Sequence, residues 1–179
     1  MTLNFPWYGH VTDNSLEQGD FFFTCQVLEQ LRITPSNPGD KYHVTGNVSE
    51  YDVVILSQSC DLTQGKIETV LVCPHWTIEE FETIEPDINI RGYKEKIRQG
   101  NLAGYHMLAS CQLPNFISPI RIVSFRQVFG LPLDYIQDIT SNQNTRLRLL
   151  PPYREHLAQA FARFIMRVGL PVDIPAFSK

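Results

Sequence analysis

Cys60 and Asp61 lie in the polar stretch SQSCDLTQGK, directly after the unbroken apolar run Val53, Val54, Ile55 and Leu56. A thiol and a carboxylate displayed where a buried strand ends could serve nucleophilic or redox chemistry, provided that a base stabilises the thiolate. His75, closing the next apolar run, and His106, within a later one, are the candidates for that base. Cys60, Asp61, His75 and His106 thus form the candidate catalytic set of a cysteine-dependent hydrolase or redox protein. The plain alternative makes Cys60 a small apolar plug and Asp61 the cap of an Asx turn. Cys73 and His75, two apart on a strand, share a face and with Cys60 and His106 could form a thiolate–imidazole zinc site. The short knuckle that structural zinc sites use for at least one ligand pair is missing, so no metal and no other cofactor is expected.

A second constellation is cationic. Arg121, Arg126, Arg146, Arg148, Arg154, Arg163 and Arg167 all fall in the last third of the chain, opposite an acidic middle of Glu68 and residues 79–87. Guanidinium forks suit phosphates and carboxylates. His43, Arg121, Arg146, Arg148, Arg163 and Arg167 are therefore candidate contacts to single-stranded RNA, to a protein partner or second copy, or to the molecule's own acidic segment. With a net charge of −4, the molecule as a whole attracts neither nucleic acid nor an anionic membrane, so any such contact must be local.

The elements that must position these groups follow from patterning. A chain of 179 residues with 43% apolar and 19% charged residues is long enough and apolar enough for one globular domain. Four scattered cysteines without a CxxC pair, and an opening that does not read as a leader, favour a reducing cytoplasm. No apolar run is long enough to cross a bilayer, and no phosphate loop, HExxH or GxSxG motif is present.

Residues 1–18 read as an N-terminal arm, 21–31 as a strand with Phe21, Phe23, Cys25 and Val27 on one face, and 34–50 as a long loop, either a tolerated surface loop or a binding loop. Strands follow over 53–57 and 68–73, the first a central one because neither of its faces is polar. Residues 77–103 read as a helical insertion: Thr77 caps a helix over 78–84 with Glu80 completing a capping box, and Pro86 stops it. Further strands are expected over 104–113 and 119–129, then a turn-rich piece. In the strand over 145–149, Leu147 and Leu149 point in and Arg146 and Arg148 point out. Finally 151–169 is an amphipathic helix opened by Pro151 and Pro152, with Leu157, Ala158, Phe161, Phe164, Ile165 and Val168 on one side. Glu155, His156, Gln159, Arg163 and Arg167 are on the other, and Gly169 is the cap. The fold class expected is mainly β: a small SH3-like barrel with the terminal helix packed on it.

Gln18-Gly19-Asp20 before the first strong strand, Val53 to Ser57, and Val70-Leu71-Val72-Cys73-Pro74 resemble the MazF/PemK-type toxins. That resemblance implies a bacterial toxin–antitoxin setting and an SH3-like barrel that dimerises and cleaves single-stranded RNA without metal. Tyr51-Asp52 stands where that family carries Arg-Pro, and the insertion is foreign to it. The expected function is accordingly a noncatalytic or regulatory SH3-like interaction module that binds a protein partner through a basic and aromatic face. The metal-independent endoribonuclease and the Cys60-centred enzyme are the alternatives.

Overall fold

The computed structural model describes residues 5–34 and 42–166. Strand β1 (Tyr8–Val11) leads to the two long strands β2 (Phe21–Thr34) and β3 (His43–Ile55), and then to helix α1 (Ser59–Thr63) and strand β4 (Thr69–Thr77). Helix α2 (Ile78–Ile84), a 3₁₀ turn (Pro86–Asn89) and helix α3 (Tyr93–Arg98) follow. The chain finishes with β5 (Tyr105–Leu108), β6 (Arg121–Ser124), β7 (Phe129–Pro132), α4 (Leu133–Ser141), β8 (Arg146–Leu149) and α5 (Tyr153–Ile165).

Six strands form one antiparallel sheet in the order β2-β3-β4-β6-β5, with β7 also pairing β4, while β1 and β8 form a second, two-stranded sheet. β4 serves two partners in succession: Thr69–Val72 pairs with β7, and His75–Thr77 pairs with β6. Neither sheet closes on itself among the described residues. The molecule is therefore a mixed α/β fold of two open sheets, which corrects the expected SH3-like barrel and removes the structural basis of the MazF/PemK resemblance. The unbroken apolar runs correctly imply burial on both faces, but helices provide the cover that a closed barrel wall would have supplied.

Alternation along β3 and β4 sorts their side chains onto two cores. Val54 and Cys73 face a core completed by Leu147, Leu149, Phe125 and Leu157 of α5. Val53, Ile55 and Val72 face another, completed by Leu131 and by Ile136 of α4. The third cluster, Phe81, Ile88 and Ile97 of the 77–103 segment, packs on Tyr105 and Ile122 of β5 and β6. The capping box forms as read: the Thr77 side chain accepts from the Glu80 amide, and Glu80 accepts from the Thr77 amide at 2.8 Å.

Several local expectations are revised. β2 carries a bulge at Thr24 (φ 55), which shifts the alternation, so that Phe22, Cys25 and Val27 share the second core while Phe21 enters the first. Much of the expected 34–50 loop is strand: β2 runs on to Thr34 and β3 begins at His43, the two projecting as a paired ribbon. The turn-rich piece after Pro132 is helix α4, with Ile136 and Thr140 buried. In α5, Ile165 is exposed, and the expected Val168, the Gly169 cap and Arg167 lie outside the described residues.

The two sheets meet through Gly19 and Asp20. The Gly19 amide donates to the Ile55 carbonyl of β3, and the Gly19 carbonyl accepts from the Leu149 amide of β8, both at 2.9 Å. Gly19 sits at φ +86, and a Cβ there would lie 3.0 Å from Leu149 Cβ, so only glycine fits. Asp20 is fully buried and takes Arg148 through two nitrogens, while Arg146 lies 3.6 Å from the same carboxylate. Arg148 also reaches Glu17, and both arginines donate to backbone carbonyls of residues 13–15. Removing one partner of a buried ion pair costs about 3–5 kcal/mol, even though Arg148 keeps Glu17. Asp20→Asn should therefore lower the unfolding free energy by about that amount in urea titration, whereas Asp13→Asn, at the exposed start of the segment, should leave the midpoint nearly unchanged.

Candidate functional site

The residues nominated from sequence do not converge. Cys60 is exposed on α1, and its recorded sulfur contact is Asp61 Oδ1 at 3.7 Å. Among the described residues no histidine stands within hydrogen-bond range of that sulfur, which overturns the cysteine-centred enzyme. Cys73 is buried, and burial pushes its thiol up to about 12. Among the described residues no cluster of three or more metal-ligating side chains occurs.

His75 is 1% exposed within β4. Arg121 Nη1 lies 2.9 Å from its Nδ1 and 3.2 Å from Asp52 Oδ2. Because a guanidinium can only donate, Nδ1 accepts and the imidazole is neutral with its proton on Nε2. Burial first, and Arg121 second, hold its pKa well below the ordinary histidine range. The edges of Phe21 and Phe23 complete its surroundings, and Arg121 lies over the Phe23 ring. His75 and Arg121 thus tie β4 to β3 and β6 inside the protein.

Arg146 and Arg148, expected on a cationic outer face, are buried in the Asp20 network, and Arg154 bonds Glu17 and Glu155. His43 stands at the far end of the ribbon, opposite Thr34. Among the described residues Arg121, Arg146, Arg148 and Arg154 are held by internal carboxylates and His43 and His75 stand apart, so neither the groove expected of a MazF-type nuclease nor the basic and aromatic SH3-type face is formed from the nominated groups.

His106 and Arg163 are the exceptions, because the fold brings them to one cleft of about 270 Å³ between α3, β5 and α5. The α3 wall ends where Gly100, at φ +71, turns the chain back: its amide donates to Ile97 and that of Asn101 to Lys96. Arg98 and Gln99 of this turn reach the cleft. On α5, His156, Gln159 and Arg163 recur at i, i+3 and i+7 and so form one stripe toward the cleft, while Leu157 and Ala160 face the core. His106 enters from β5, with its ring 6.3 Å from that of Phe125.

No Asp or Glu lines the cleft among the described residues. The nearby Glu95 is held by Arg98 through two nitrogens, at 2.6 and 2.7 Å. Arg163 forms no ion pair among the described residues. Burial, then His156, then Arg163 push the pKa of His106 down to about 4. The cleft is therefore lined by guanidinium, imidazole and amide donors, and Arg163 has no counter-ion among the described residues. His156, Gln159 and Gln99 were not nominated from sequence, although the helical spacing of His156, Gln159 and Arg163 was visible on the polar side of the terminal helix.

The depressed pKa of His106 sets a pH dependence. Between its ordinary value and about 4 the unfolded chain holds more protons than the folded one, so stability falls as pH falls through that window. His106→Gln should flatten the loss measured between pH 6.5 and 4.5 by about 1–2 kcal/mol relative to wild type, with urea midpoints at each pH as the readout.

Comparison with protein-family models, with curated proteins and with solved structures gives no match for this chain.

Proposed function

We propose that the chain is a binding protein for a small oxyanion-bearing ligand, such as a phosphate, sulfate or carboxylate group, held between β5 and α5. The observation that carries this reading is the set of two imidazoles and the Arg163 guanidinium around one cleft, with no carboxylate in its lining and no ion pair to Arg163 among the described residues. Arg163 presents a planar fork to two ligand oxygens, the His156 ring adds a further N–H donor, and the amides of Gln159 and Gln99 complete the shell. His106 is neutral in the empty cleft. An anion offsets both the burial and the neighbouring cations that depress its basicity, so binding draws a proton onto the ring.

The ligand is small. A long single strand of nucleic acid needs a continuous basic track, and Arg121, Arg146, Arg148 and Arg154 are engaged in internal pairs. Among the described residues no helix is long and apolar enough to cross a membrane. The four unpaired cysteines support a reducing compartment as the place of action.

Titration calorimetry with sulfate, whose charge is constant over the range used, tests the reading. Affinity should rise as pH is lowered from 7.5 to 5.5, with proton uptake detected in buffers of different ionisation enthalpy. Arg163→Ala should weaken binding by roughly 10–100-fold, the worth of a charge-assisted hydrogen bond, and His106→Gln should remove much of the pH dependence. No sulfate binding by the wild-type chain, or undiminished binding by Arg163→Ala, overturns the assignment.

A further inference from the structure

The distal part of the β2–β3 ribbon is amphipathic. Leu28 pairs with Val48 and Ile33 with Val44, so each pair shares a face. A Cβ on Gly46 would meet Leu28 at 3.2 Å and Leu31 at 3.3 Å, which places those two leucines on the same face. Glu29, Arg32, Thr45 and Asn47 form the other, polar face. The five apolar side chains are between 54% and 66% exposed, and Tyr42 beside them is 72% exposed.

We infer that this face is the interface for a second copy of the chain, with two ribbons stacked face to face about a two-fold axis. Three observations select that occupant. The stripe exposes on the order of 600 Å² per chain, at the upper end of what a lone soluble protein leaves in water, and doubling it clears the roughly 1,000 Å² that a specific interface requires. Addition of a strand at the outer edge of β2 is disfavoured, because that edge is bulged twice, with Thr24 at φ 55 and Gln30 at φ 51 out of register with any added strand. The stripe is also self-complementary when the ribbons run antiparallel: its Tyr42 end carries a hydroxyl donor, and its Gln26 and Glu50 end carries acceptors, so the two ends match across a two-fold axis. This inference is independent of the anion cleft, which lies at α3, β5 and α5.

Sedimentation velocity and light scattering on the full chain test it. The wild-type protein should have twice the mass of one chain, and its melting temperature should rise with protein concentration. Leu31→Lys and Val48→Lys each place a charge in the interface at positions already exposed in the single chain. Each should weaken association at least tenfold with an unchanged circular dichroism spectrum, while Thr45→Lys on the polar face should leave it unaltered. A wild-type chain of single mass throughout the concentration range overturns the inference, as does a dimer that survives both apolar-face substitutions.

Discussion

The buried ion pair between Asp20 and Arg148 is the constraint on which the two-sheet arrangement depends. Neither charge could be left in the interior alone, and each is satisfied only when β8 lies against the segment leading into β2. Arg146 and the carbonyls of residues 13–15 complete the shell, so the segment after β1 is held from the same side. Gly19 lets backbone hydrogen bonds to β3 and β8 form on either side of a single residue, which joins the sheets where a side chain would have separated them.

From that junction the remaining architecture follows by burial. β3 and β4 carry apolar residues on both faces, and each face needs its own cover. α4 covers one side, and α5, together with β1 and β8, covers the other. α5 is thereby fixed in rotation, since Leu157 and Ala160 must face inward. Its polar stripe then turns toward β5, and the same packing that completes a core creates the cationic cleft. The ribbon is the counterexample: beyond residue 28 its apolar face has no cover among the described residues.

Much of this was legible locally. The capping box at Thr77 and Glu80, the central character of residues 53–56, and the inward positions of Leu147, Leu149 and Leu157 are short-range patterns, and the structure contains them. The bulge at Thr24 was not legible, because one left-handed residue reverses the facing of a strand without altering its composition. The ribbon was hidden by Gly46 and Asn47, which resemble loop residues, and α4 by a brief apolar period in a polar context. Arg146 and Arg148 were read as outward-facing because alternation assigns arginine to solvent. A distant carboxylate and the carbonyls of Asp13 and Ser15 reversed that assignment. The histidines and Cys60 were grouped by chemical type, which carries no information about distance.

The sequence by itself determined which segments are apolar on both faces, where the helix in the 77–103 segment starts, and which side of the terminal helix is polar, because these depend on residues within one or two turns of each other. Only the tertiary structure decided that the sheets stay open, that two arginines are interior, and that His106 meets His156 and Arg163 rather than Cys60. Those outcomes depend on contacts between residues far apart in the chain, such as Arg146 with the Asp13 carbonyl, 133 positions away. Such contacts are selected by the need to pair every buried charge and cover every apolar face at once, and no local window of sequence encodes that condition.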